Sequence, residues 1–114
     1  MITFACKKID KEDLIRCSFN LNKTEYKVFM YLLEHPRKQK VIDVAKGLHL
    51  TRTSVQKAIK ELVNKNLVIR FQKNLPRGGY LFLYQIKERE RIKKEMKDIV
   101  TSWYKNVLHE IDSF

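Results

Sequence analysis

Leu50-Thr51-Arg52-Thr53-Ser54-Val55-Gln56-Lys57-Ala58-Ile59-Lys60-Glu61-Leu62 sorts its residues by chemistry at a period of 3.6. Val55, Ala58, Ile59 and Leu62 fall on one side of a helix, and Arg52, Thr53, Gln56, Lys57 and Lys60 on the other. Thr51 stands where its hydroxyl can cap the first turn. Asn66 stands where the helix must end, and Asn is the commonest substitute for Gly in the left-handed conformation of a helix C-terminus. The segment therefore reads as a helix buried along one stripe and basic along the opposite one.

Beyond Asn66 the period changes to two. Residues 67–72 and 80–85 each alternate as a strand does, and the stretch between them, Lys73 to Gly79, is rich in turn formers, so a β-hairpin with a basic tip is expected. Upstream, Val41, Val44, Ala45 and Leu48 line one face of a short helix over 41–48. Asn22 followed by Glu25 forms a capping-box pattern, and Tyr26, Phe29, Met30 and Leu33 then recur at helical spacing. A helix over about 23–34 follows, closed by His35-Pro36 because the residue before proline avoids the helical region. Asp10 caps a further short helix through Leu14, Ile15 and Cys17.

Two short helices, a tight turn, a basic helix and a hairpin are the order of a winged helix-turn-helix. Val41 to Leu48 resembles the first helix of that motif and Leu50 to Leu62 its recognition helix, while Asn66-Leu67-Val68-Ile69-Arg70 resembles a "Gly-Leu-Val-x-Arg" step into the wing. The pattern is similar to MarR-like regulators and to the DNA-binding domain of the archaeal TrmB-like regulators, over about residues 21–86. The resemblance implies a DNA-binding transcription regulator, most simply a repressor. Nothing in these 114 residues corresponds to the large sugar-binding domain of full-length TrmB-like proteins, so a sugar effector is not expected.

Charge points the same way without the resemblance. The chain carries 24 Lys and Arg against 13 Asp and Glu, a net charge of +11. Residues 51–80 hold seven basic residues and one acidic one. A solubilising excess has no reason to concentrate there, whereas a face for a polyanion does. Arg52, Thr53, Gln56, Lys57 and Lys60 are the candidates for the major groove, where Arg reads guanine and Gln reads adenine, and the N-terminal end of the helix, Thr51 to Ser54, offers amide groups to a phosphate. Lys73 and Arg77 in the wing, and Lys38 and Lys40 ahead of the 41–48 helix, are candidates for phosphate contacts that add affinity without sequence information. The bland alternatives are exposed helix residues and an ordinary solvated loop.

From Glu88 onward the helical period returns without Gly or Pro. Ile92, Met96, Ile99, Trp103, Val107, Ile111 and Phe114 form one stripe, flanked by Val100, Tyr104 and Leu108. A helix of this length spans roughly 37 Å, longer than a small domain is wide, so a dimer seam with a second copy is expected, helped by the N-terminal helix. A helix folded back over its own domain is the alternative.

The expectation is thus a mainly α protein with a small β-hairpin. Residues 1–20 form an N-terminal helical extension, 21–87 a winged helix-turn-helix DNA-binding domain, and 88–114 a C-terminal dimerisation helix. Its partners are double-stranded DNA and itself; an effector cleft for a small apolar molecule is conceivable, but no residue points to one. Architectural DNA binding with little sequence preference and a protein-interaction module of the transcription machinery are the rival readings.

Catalysis is not expected. His35, His49 and His109 are isolated, Asp10, Glu12 and Asp13 suit a cap better than a dyad, and no phosphate-binding glycine loop or metal set is present, so neither cofactor nor metal is expected. Cys6 and Cys17 are expected as free, partly buried thiols, with a bridge between them the less favoured option. The apolar start, Met1 to Cys6, is too short for a signal peptide and no run is long enough for a membrane span, so a cytoplasmic protein is expected.

Overall fold

A computed structural model describes all residues 1–114. In chain order the elements are β1 (Ile2–Phe4), β2 (Lys7–Ile9), α1 (Lys11–Phe19), α2 (Lys23–Glu34), α3 (Val41–Leu48), α4 (Arg52–Asn64), β3 (Val68–Asn74), β4 (Tyr80–Ile86) and α5 (Arg89–Asp112). They form two units. Leu21–Lys87 is one, and Met1–Asn20 together with Glu88–Phe114 is the other.

In the Leu21–Lys87 unit the capping box forms as its spacing requires. The Glu25 amide donates to Asn22 Oδ1 at 2.8 Å, and the Asn22 amide donates to Glu25 Oε1 at 3.0 Å. The Glu25 carboxylate is buried and also meets Lys65 Nζ at 3.5 Å, which ties the start of α2 to the end of α4. Val28, Phe29 and Leu32 of α2, Val44 of α3, and Val55, Ile59 and Leu62 of α4 are almost wholly buried and make the core. Gly47 marks where α3 crosses α2: a Cβ there would lie 2.5 Å from the Tyr31 hydroxyl, so this glycine serves close approach rather than helix termination. Termination falls to His49, which takes the left-handed conformation at φ 56°.

At the end of α4, Asn66 is left-handed (φ 61°), and the Leu67 amide donates to the Leu62 carbonyl at 3.0 Å. That turn delivers Leu67, fully buried, to the base of the hairpin, where the Lys87 amide donates to its carbonyl at 3.0 Å. The antiparallel register pairs Val68 with Ile86, Arg70 with Tyr84, Gln72 with Phe82 and Asn74 with Tyr80. The strands run further than the alternation indicated, so Lys73 lies within β3 opposite Leu81 and the connection shortens to residues 75–79. Gly78 (φ 93°) and Gly79 (φ 80°) close it.

The other unit departs from expectation at its start. Ile2 pairs with Ile9 and Phe4 with Lys7 in a second hairpin, so only the latter half of residues 1–20 is helical. The turn residues Ala5 and Cys6 carry none of the usual two-residue hairpin chemistry, and three-residue strands give too little alternation to read. Asp10 caps α1, its carboxylate accepting from the Asp13 amide at 2.8 Å. Both cysteines are free but exposed, not partly buried, because Cys6 sits at the hairpin turn and Cys17 on the outer side of α1. The architecture is accordingly mainly α, with a winged helix-turn-helix core, a long C-terminal helix and two small hairpins. No helix is long and apolar enough to cross a membrane.

Candidate nucleic-acid interface

Helix α4 turns its two chemistries apart as the period demands. Val55, Ala58, Ile59 and Leu62 are buried, while Arg52, Thr53, Ser54, Gln56, Lys57 and Lys60 are all exposed. The connection from α3 is only three residues long, and its last, Thr51, caps α4 by accepting from the Ser54 amide at 3.1 Å. The Thr51 hydroxyl also donates to the Ser54 hydroxyl at 2.8 Å, so Ser54 acts first in the cap. The amides of Arg52 and Thr53 have no acceptor inside the helix.

The wing carries charge of one sign. From Leu62 to Lys87 there is no Asp or Glu, while Lys65, Arg70, Lys73, Arg77 and Lys87 are basic. Arg77 is exposed at the turn before the two glycines, and Lys73 is exposed on the strand leading to it.

Lys38 and Lys40 are both exposed, but they do more than precede a helix. Gln39 between them pairs with Tyr84 through two backbone bonds, its amide donating at 2.7 Å and its carbonyl accepting at 2.8 Å. The 38–40 segment is thus fastened to β4 at one bridge residue. Lys38 Nζ stands 4.2 Å from the centroid of the Phe71 ring, which brings this lysine to the wing. Lys40 occupies the N-cap position of α3 without a side-chain capping bond. Gln39 pairs through backbone alone, so no side-chain pattern could have disclosed the bridge. Arg70, outside the expected interface, has its guanidinium carbon 4.4 Å from the Phe82 ring centroid.

The stripe on α5 divides. Ile92 is buried, and Met96 and Val107 are half-buried. Ile99, Trp103 and Ile111 are exposed, as are Val100, Tyr104, Leu108 and Phe114; Trp103 is 60% exposed.

A family model for the sugar-specific transcriptional regulator TrmB matches residues 15–90. The chain belongs to the TrmB family. A structure described as a possible transcriptional regulator from Methanosarcina mazei Go1 is similar at a TM-score of 0.91 and 35% identity, covering 100% of this chain and 96% of that one. An uncharacterized protein of Methanocaldococcus jannaschii is 35% identical over 101 residues, covering 89% of this chain and 82% of its relative. A MepR mutant from S. aureus bound to an oligodeoxyribonucleotide shares the fold at a TM-score of 0.59 and 16% identity, over 87% of this chain and 72% of that one. This TrmB-family chain is a winged-helix transcription regulator, and its family is one of regulators rather than enzymes.

Proposed function

We propose that this TrmB-family chain binds double-stranded DNA sequence-specifically as a homodimer in the cytoplasm and represses by occupying promoter DNA. The observation that carries the proposal is the exposed basic and polar face of α4, set opposite a fully buried stripe of the same helix. In this reading residues 21–87 are the DNA-binding domain. Arg52, Gln56, Lys57 and Lys60 enter the major groove with Thr53, while Ser54 and the first amides of α4 meet a phosphate. Lys38, Lys40, Lys73 and Arg77 hold the flanking backbone. The oligodeoxyribonucleotide of the MepR neighbour supports DNA as the class of partner.

Dimerisation through residues 88–114 is supported by the apolar side chains that α5 leaves exposed. Helix α5 has 24 residues and spans roughly 36 Å. Trp103, Tyr104, Leu108 and Ile111 lie exposed along its second half. A row of this kind on a helix otherwise rich in Lys and Glu fits a seam with a second copy.

Single variants Arg52→Ala, Gln56→Ala and Lys57→Ala, titrated with duplex DNA, test the reading. Each is expected to fold as the parent does, because none removes buried volume. Loss of a base-reading contact should weaken binding by ~1–3 kcal/mol and relax specificity at one position per half-site. Parental affinity in all three would exclude α4 as the reading helix.

A further inference from the structure

The wing holds an arginine that the interface described above does not use. Arg70 lies in the middle of β3, on the hairpin face whose inner part, Val68, Tyr84 and Ile86, is buried. Its cross-strand partner is Tyr84, and its diagonal neighbour towards the tip is Phe82. The guanidinium carbon sits 4.4 Å from the Phe82 ring centroid, and Tyr80 in turn packs edge-on against Phe82 at 5.3 Å. Tyr80 itself is 58% exposed, so this row of side chains runs outward along the strand pair into solvent.

Arginine on a strand is commonly matched to a carboxylate across the sheet. Here no carboxylate exists anywhere from Leu62 to Lys87. The ring restrains the side chain without occupying its N–H donors, which an ion pair would have taken. A cation restrained in this way loses less rotamer freedom on meeting an anion, and a planar fork of donors matches two oxygens of one phosphate.

We infer that Arg70 binds a backbone phosphate of the DNA duplex and that Phe82 is the positioning residue that holds it ready. A phosphate rather than a base edge is the fitting partner, because Arg70 projects from the body of the strand, four residues before the end of β3, and not from the exposed face of α4 or the hairpin tip. The inference rests on the DNA-binding reading above.

The test is a titration of the parent, Arg70→Ala, Phe82→Leu, Phe82→Tyr and Gln56→Ala with two duplexes of different sequence, over about 50–200 mM salt. Arg70→Ala should bind both duplexes about tenfold more weakly, with the preference between them unchanged. Its log–log salt slope should be shallower by about one per subunit. Phe82→Leu should keep the parental slope and lose about threefold in affinity, and Phe82→Tyr, which restores a ring, should bind like the parent. Parental affinity and slope in Arg70→Ala, with Gln56→Ala still weakened, would overturn the role of Arg70 alone. A changed preference between the duplexes in Arg70→Ala would overturn the phosphate assignment in favour of base reading. Parental binding by a folded Phe82→Leu would remove Phe82 from the account; should that variant unfold, the Arg70→Ala arm decides by itself. A parent that binds neither duplex at the lowest salt would overturn the DNA-binding reading and this inference together.

Discussion

The Leu21–Lys87 unit and the unit made of both chain ends resolve their apolar residues in opposite ways. In the first, Val28, Leu32, Val44, Val55, Ile59, Leu62 and Leu67 are wholly excluded from water within a single chain. In the second, only Ile15 and Ile92 are buried, while Phe4, Trp103, Tyr104 and Ile111 stay more than half exposed. The first has a finished core and is free to devote its surface to charge. The second has an amphipathic helix without enough of its own chain to cover it. Apolar periodicity alone does not separate these cases, because a stripe looks the same whether its partner is intramolecular or a second copy.

Substitutions on the two sides should therefore fail differently. Trp103→Asp is expected to have the largest effect, because in the proposed dimer two unpaired charges would enter a desolvated seam. A cost of about 5 kcal/mol in dimer stability would leave a folded monomer at micromolar concentration, visible by light scattering. A Trp103→Asp protein that stays dimeric, or a monomeric parent, would mean that the exposed stripe of α5 is not a dimer seam. Leu62→Ala should instead lower folding stability by about 3 kcal/mol through a cavity in the finished core, with the dimer mass unchanged below its melting temperature. Gly47→Ala sharpens the point on a smaller scale. Helix propensity alone would make it stabilising by about 1 kcal/mol, but the clash with Tyr31 should reverse the sign to a loss of about 1–2 kcal/mol in denaturant melts. A gain would mean that Tyr31 moves aside freely. Asn66→Gly should do least, gaining under about 1 kcal/mol from relief of the left-handed conformation.

Legibility in the sequence followed how local each feature is. The boundaries of α2 and α4 could be read because caps and period lie within a few residues of each other, Asn22 with Glu25, Thr51 with Ser54, and the left-handed Asn66, whereas α3 has no side-chain cap and shows in its period alone. The β1–β2 hairpin escaped because its strands are short and its Ala5-Cys6 turn is chemically unmarked. The Gln39–Tyr84 pairing escaped because backbone bonds leave no residue signature. Charge alone marks Lys38 in the sequence, and its contact with Phe71 joins two elements far apart in the chain, which no spacing rule reaches. Arg70 escaped for a related reason, since its meaning depends on the ring that register places diagonally opposite. Ile92 shares the period of its stripe, and only its burial in the folded chain distinguishes it.

If two copies read DNA through paired α4 helices, selection of bound duplexes from a random pool will show it. A two-fold dimer should enrich an inverted repeat whose half-sites lie about 34 Å, one helical turn, apart. A pool that emerges without a consensus would contradict sequence-specific reading, and a single unrepeated half-site would contradict the dimer.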